Sequence, residues 1–462
     1  MSTTEGNVAT EAKPAELGAN LKPRHITMIS IAGVIGAGLF VGSANAITKA
    51  GPAVLIPYAM AGALVVLVMR MLGEMATANP DTGSFSVYAD RALGHWAGFS
   101  VGWLYWWFWV LVIPVEATAA ATILTDLVGG AQWIWALAVT LLLTVTNLAS
   151  VGNYGEFEFW FALIKVVAIV AFILVGVAAM LGWFPDSQVS GISHLWQPDG
   201  FMPNGFGAVI AGMLITMFSF MGTEIVTIAA AESPDPQRGI TRAVNSVIWR
   251  ISLFYIGSIF VVVALMPYNK LDNGSYQSVL EAIGIPGSKV IMDIVILTAV
   301  ASCLNSALYT ASRMMFSLGT RGDAPQVVRR LSPKGVPWIA VLMSMVIGFL
   351  AVIGNYVLPD KIFAWLLATS GAIALFVYLT IAASQLVLGR TLRHEGQRPP
   401  VRMWLFPYLT GAVMAFIIAV LLLMVFDPDQ RQAIVFSAIS AVIIVAAGIV
   451  VQRRRRQVPA AA

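Results

Sequence analysis

Runs of about twenty predominantly apolar residues recur along this chain from residue 26 to residue 451. That succession limits the fold more than any motif does. A helix needs roughly 20 apolar residues to cross a bilayer, and a backbone inside lipid must satisfy its own hydrogen bonds. Twelve stretches meet the requirement: 26–48, 52–73, 97–125, 132–151, 157–182, 205–231, 244–267, 288–317, 337–356, 361–386, 404–426 and 432–451. The stretch 74–96 is too polar to cross and reads as a turn with a short interfacial helix. Hydrophobic types make up 58% of the 462 residues and charged types 11%. Soluble domains carry about 25% charged residues, so a soluble fold of this length could not hide the apolar surface. The fold class expected is all-α and polytopic.

The basic residues test that map. With the first tail inside, 21 of the 27 Lys and Arg fall on inner segments or span ends and 5 on outer ones, with Lys165 left inside a span. This asymmetry predicts both termini on the cytoplasmic side. The run Arg453 to Arg456 follows a span directly and reads as an anchor beside anionic lipid rather than a nucleic-acid patch. The first twenty residues lack the basic start, apolar core and cleavage site of a signal peptide, so the first span is expected to direct insertion. The single cysteine, Cys303, excludes an intrachain disulfide and reads as a small packing residue.

Within the first span, SIAGVIGAGLFVGS carries Gly33, Gly36, Gly38 and Gly42. A dinucleotide turn would need a preceding strand and an acid about 20 residues on. The flanks are apolar, and no acid occurs between residues 25 and 73. Two membrane readings stand. The glycines let neighbouring helices approach closely, or they permit an unwound stretch whose freed backbone groups line a cavity. The sixth span carries a comparable cluster, Ser219, Gly222, Thr223 and Glu224. Paired interruptions of this kind mark a transporter's central site.

Ionisable groups in lipid are costly and need a reason. Lys165, in GEFEFWFALIKVVAI, can pair with an acid, snorkel or titrate. Glu224 can carry a proton, cap a broken helix or face an ammonium group. Glu116, in the third span, shares a helix face with Val112 and Ala120 and is a further candidate for proton coupling or gating. Glu74 stands four residues from Arg70, the spacing of a local ion pair, and Arg313 reads similarly. The run WLYWWFWV at 103–110 exceeds an interfacial belt; Tyr105 and Trp109 either pack or face a cavity, and Pro114 is expected to kink the helix. His25, His95, His194 and His394 are scattered and form no metal cluster, and no Walker sequence occurs. Hydrolytic and ATP-driven chemistry are therefore set aside, with a channel kept as the weaker alternative to alternating access. No metal, nucleic acid or ATPase subunit is implied.

The ordered set SIAGVIGAGLFVGS, GPAVLIPY, RMLGEMATANPDTGSFSVYAD, GNYGEFEFWFALIKVVAI, GFMPNGFGAV, SFMGTEIVTIAAAESPDP and SCLNSALYTASRMMFSLGTRGDAP resembles the amino acid permeases of the amino acid–polyamine–organocation superfamily. The similarity runs from about residue 18 to 452. GWLYWWFWVLVIPVEATAA and ITMFSFMGTEIVTIAAAES are most similar to the branch that carries 4-aminobutyrate. The resemblance implies ten core helices in five-plus-five inverted repeats, with helices 1 and 6 broken, and two further C-terminal helices. It implies a tail at 1–24, a transport core at 25–386, a cytoplasmic loop at 387–403, helices 11 and 12 at 404–451 and a basic tail at 452–462, in a bacterial inner membrane. Carried over, backbone groups around Ala32, Gly36, Ala37, Gly38 and Leu39 would receive the substrate carboxylate. Carbonyls near Phe218, Ser219 and Phe220 would meet the amino group. Lys165 would stand where related transporters bind sodium, so the resemblance implies a proton as coupling ion and no cofactor. The segment from Ser302 to Gly322, with Ser302, Cys303, Asn305, Ser306, Tyr309 and Ser312, either faces the pathway or packs closely. The partners implied are 4-aminobutyrate or a related amino acid, protons and membrane lipids.

Overall fold

The computed structural model describes residues 28, 35–81, 84–149, 154–197, 199–227, 235–271 and 274–457. Every long element among them is a helix. A helical path opens with α1 (Ala37–Phe40) and α2 (Gly42–Ala50), separated only by Val41, itself in helical conformation. It continues through a 3-10 turn at Gly51–Val54 into α3 (Leu55–Ala78). Next come α4 (Ser84–Leu93), α5 (His95–Val128), α6 (Gln132–Ala149), α7 (Tyr154–Met180) and α8 (Gly205–Phe220). The path α9 (Pro236–Arg250), a π-helical segment at Ile251–Gly257 and α10 (Ser258–Leu265) is continuous. The chain ends with α11 (Ser275–Ile283), α12 (Ser288–Thr320), α13 (Trp338–Val357), α14 (Pro359–His394), α15 (Tyr408–Val425) and α16 (Pro428–Gln457).

Among the described residues, ten helical paths are long and apolar enough to cross a membrane. The expected first and second spans share one of them, Ala37–Ala78. The expected fourth is the shorter apolar helix Gln132–Leu148. The polar stretch 74–96 behaves as the sequence suggests, with α4 as a short amphipathic helix, although α3 runs five residues beyond the expected end at 73.

Burial ranks the helices. The most apolar windows of α5 and of Gly205–Thr227 are 83% and 89% buried, against 28% for Glu156–Met180 and 22% for Gln430–Arg455. α5 and α8 therefore form the centre, while α7 and α16 present apolar faces to lipid. Small residues allow the central contacts. A methyl at Gly371 of α14 would fall on the Leu214 carbonyl of α8, and one at Gly102 of α5 would lie 2.9 Å from Leu318 of α12. α5 continues helically through Pro114.

Candidate functional site

The site is built where α1 begins. A helix start leaves backbone N–H groups without intrahelical partners. The N–H of Ala37 donates to the Glu116 carboxylate, reaching across from the middle of α5 at 3.0 and 3.2 Å. Glu116 is 1% exposed, so this carboxylate caps the helix from another element, far from water. Gly36 makes the approach possible. A methyl there would lie 2.7 Å from a Glu116 oxygen and 2.8 Å from both Cβ and Sγ of Cys303. A methyl at Gly38 would meet the Phe218 ring at 2.8 Å and the Ser219 Cα at 2.9 Å. Gly42 differs: its nearest neighbour would be a Leu367 methyl at 3.2 Å, a packing contact.

The facing element is α8. It ends at Phe220, Met221 is extended, and Gly222 has φ +102° before residues 225–227 are helical again. Only glycine holds that backbone without strain. The Gly222 N–H donates to the Glu224 carboxylate at 3.1 Å, the Thr223 hydroxyl donates to the Phe220 carbonyl at 2.6 Å, and the Tyr378 hydroxyl of α14 reaches Glu224 at 3.5 Å. Each backbone irregularity is thus held by a buried glutamate.

Between the two lies a small cavity of about 10 Å³, walled by Trp109 and Glu116 of α5, Gly38, Phe218, Ser219, Met221 and Cys303. Its room is that of roughly one water. The pocket is therefore closed in this conformation.

A second buried cluster adjoins it. Lys165 and Glu158, both fully buried on α7, stand two turns apart with Nζ 3.9 Å from a carboxylate oxygen. The Ser302 hydroxyl of α12 lies 2.8 Å from both Glu158 oxygens. Burial removes snorkelling from the readings of Lys165.

The structure brings Gly36, Ala37, Gly38, Phe218, Ser219 and Glu116 together. Leu39 is buried close by in the core, and Ala32 lies outside the described residues. Phe220 packs instead between Tyr58 and Tyr255, with ring centroids 6.0 and 4.5 Å away. Lys165 and Glu224 belong to adjacent clusters. Two open alternatives resolve, and the readings of Glu74 and Arg313 change. Cys303 is a small residue in the wall of the pocket. Trp109 lines it, while Tyr105 packs edge-on against Phe85 and Trp109. Glu74 pairs with Arg393 of α14 at 3.0 Å and accepts from Gln385 at 2.6 Å, while Arg70 donates to the Arg402 carbonyl and covers Trp404. Arg313 lies over the Tyr309 ring at 3.8 Å. For Glu74 a partner on another helix outcompetes the local arginine, and Arg313, with no acid within a helical turn, covers a ring one turn away. Glu158 and Met221 were not singled out in the sequence. For Glu158 a signal existed, since seven residues separate it from Lys165 and two helical turns share a face.

A multi-helix membrane bundle enclosing a backbone-lined pocket belongs to the class of solute carriers. The amino acid permease family model matches residues 25–460, and this chain belongs to that family. It is a transporter rather than an enzyme. It is 60% identical over 434 residues to the gamma-aminobutyric acid permease of Escherichia coli K12, covering 93% of each chain. It is 49% identical to the gamma-aminobutyric acid permease of Bacillus subtilis 168, over 91% of this chain and 90% of that one. An aromatic amino acid transport protein of Corynebacterium glutamicum is 44% identical, over 92% and 93%.

Proposed function

We propose that this chain takes up 4-aminobutyrate across the inner membrane by proton symport and alternating access. The architecture proposed is twelve crossings, ten in a five-plus-five inverted-repeat core within 25–386 and two at 404–451, with helices 1 and 6 broken and both termini cytoplasmic. The Lys and Arg asymmetry and the irregular backbone at Gly36 and at Met221–Gly222 support it.

One observation carries the site reading: a carboxylate already rests on the Ala37 N–H, inside a closed pocket. A helix start that holds Glu116 is complementary to a substrate carboxylate. Substrate would displace Glu116 and bond the freed N–H groups around Gly36 to Leu39. The ammonium group would turn to the carbonyl end of α8 at Phe218, Ser219 and Phe220; the Phe218 carbonyl accepts from the Met221 N–H and the Phe220 carbonyl from Thr223, and a carbonyl oxygen has two lone pairs with which to accept. Two carboxylates sharing a buried site do not both stay ionised. Displacement therefore draws a proton onto Glu116, which ties substrate entry to proton entry. Glu224 would gate by holding the second irregular segment, and Lys165 would supply the fixed positive charge that replaces a cation.

The test is uptake of labelled 4-aminobutyrate by the purified protein in liposomes, under imposed proton or sodium gradients and against unlabelled amino acids. Accumulation driven by the proton gradient is expected. Uptake indifferent to both gradients would sink symport, and strong preference for an aromatic or other α-amino acid would replace the substrate. Glu116→Gln keeps an acceptor for the Ala37 N–H but a weaker one. Apparent affinity for 4-aminobutyrate should tighten about 3- to 10-fold, the effect of losing one charge-assisted hydrogen bond, while proton-driven accumulation falls.

A further inference from the structure

Glu158 is a fully buried carboxylate that the cycle above does not use. Its surroundings are specific. The charged group facing it is Lys165, on its own helix, at 3.9 Å, which is longer than a closed hydrogen-bonded pair. From α12 it faces two hydroxyls, Ser302 at 2.8 Å from both oxygens and Ser306 one turn further on. A hydroxyl both donates and accepts, so this partner suits either protonation state of the carboxylate. The next residue of α12, Cys303, forms the wall beside Gly36 and Glu116. Adjacent residues of α12 therefore touch the Glu158–Lys165 pair and the substrate pocket. Glu116 and Cys303 are the titratable groups of that pocket wall; α10 and α11, which also pack on α7, contribute Ser258 and Tyr276, bonded to each other at 2.8 Å.

We propose that Glu158 holds a second coupled proton beside Lys165, with the Ser302 hydroxyl following the change. The inference rests on the proton-symport reading. In the resting state a carboxylate and an ammonium face each other and Ser302 donates to the carboxylate. A proton from the outer side bonds to a Glu158 oxygen, Ser302 rotates to accept from it, and the pair becomes a neutral acid beside an ammonium. On the inner side the O–H bond breaks, the proton leaves, and Ser302 donates again. No electrons are exchanged; with the proton drawn onto Glu116 at substrate entry, two protons cross per cycle. Protonation removes the Glu158 charge beside Lys165 and so gives the α7–α12 contact two electrostatically distinct conditions for the two halves of the cycle.

The experiment uses the full chain in liposomes, with three readouts: labelled 4-aminobutyrate accumulation under a proton gradient, counterflow exchange without a gradient, and the pH profile of both. Glu158→Gln should lose accumulation at least 10-fold, keep exchange within about threefold and lose its pH dependence. Glu158→Asp should restore accumulation with a shifted profile, and Ser302→Ala should shift the profile with substrate affinity unchanged. A Glu158→Gln protein that accumulates as wild type with an unchanged profile overturns the proposal. So does one that loses exchange and accumulation together while Glu158→Asp recovers both with an unshifted profile, because that marks a packing role. A wild-type protein with no proton-driven uptake rejects the symport reading itself, which separates the two failures.

Discussion

One methyl group distinguishes the roles of the first span's glycines. Gly36→Ala puts a carbon within 2.7–2.8 Å of Glu116 and Cys303, distances that force the α1 start away from its capping carboxylate. Uptake is expected to fall at least 10-fold with the protein still folded, as assayed by transport beside a thermal melt. Gly42→Ala meets only a side-chain methyl at 3.2 Å, and a small shift absorbs it. Its uptake should stay within about twofold and its stability within about 1 kcal/mol, the scale of mild overpacking. The sequence showed that this glycine cluster was either a packing stripe or an unwound segment. The pattern alone did not show which glycine did which, because both uses need the same small residue; the family resemblance assigned Gly36 and Gly38 to the carboxylate site and left Gly33 and Gly42 to packing. The buried acids carried the same ambiguity. Glu116 and Glu224 were recognisable as expensive residues, but their partners, Ala37 N–H and Gly222 N–H, are backbone groups that no side-chain pattern records.

At the scale of elements, α8 and its continuation show how a helix end is made inside lipid. Gly222 at φ +102° turns the chain and Glu224 closes the turn onto its N–H. Gly222→Ala places a Cβ in a left-handed conformation at a cost on the order of 1–2 kcal/mol. We expect a turnover loss of at least fivefold, measured as initial uptake rate, and only a modest fall in membrane expression. The contrast with α5 is instructive. Proline breaks helices in water, yet α5 runs through Pro114 with its neighbours packed around it, as buried membrane helices allow. The interfacial helix α4 was legible from its polarity. The shared path of the first two spans was not, because the 3-10 turn at Gly51–Val54 joins them without any polar loop.

At the scale of the molecule, one network ties the chain's end to its middle. Asp323, buried in the loop after α12, meets His95 at 2.8 Å, Arg321 at 3.0 Å and Arg455 of α16 at 3.0 Å, while His95 also bonds Asp90 at 2.9 Å. At least Arg455 of the basic run is therefore a structural clamp rather than only a lipid contact. Removing the central charge leaves two guanidiniums facing each other. Asp323→Asn should lower thermal stability in detergent by about 2 kcal/mol, below the full cost of breaking a buried pair because the arginines are partly exposed. Arg455→Ala should cost under about 1 kcal/mol, because that side chain is 45% exposed.

The sequence by itself determined that this is an all-helical, multi-pass membrane protein, since twenty-residue apolar runs admit no other backbone solution. Its ordered motifs also determined the family. Tertiary structure alone decided which buried groups meet. Most of these helices are apolar on nearly every side, so periodicity does not reveal which face turns inward. The rotation and depth of each helix pair Glu116 with Ala37, Glu158 with Ser302 and Glu74 with Arg393. Those two variables are set by packing against neighbours, and a linear pattern of apolar residues does not contain them.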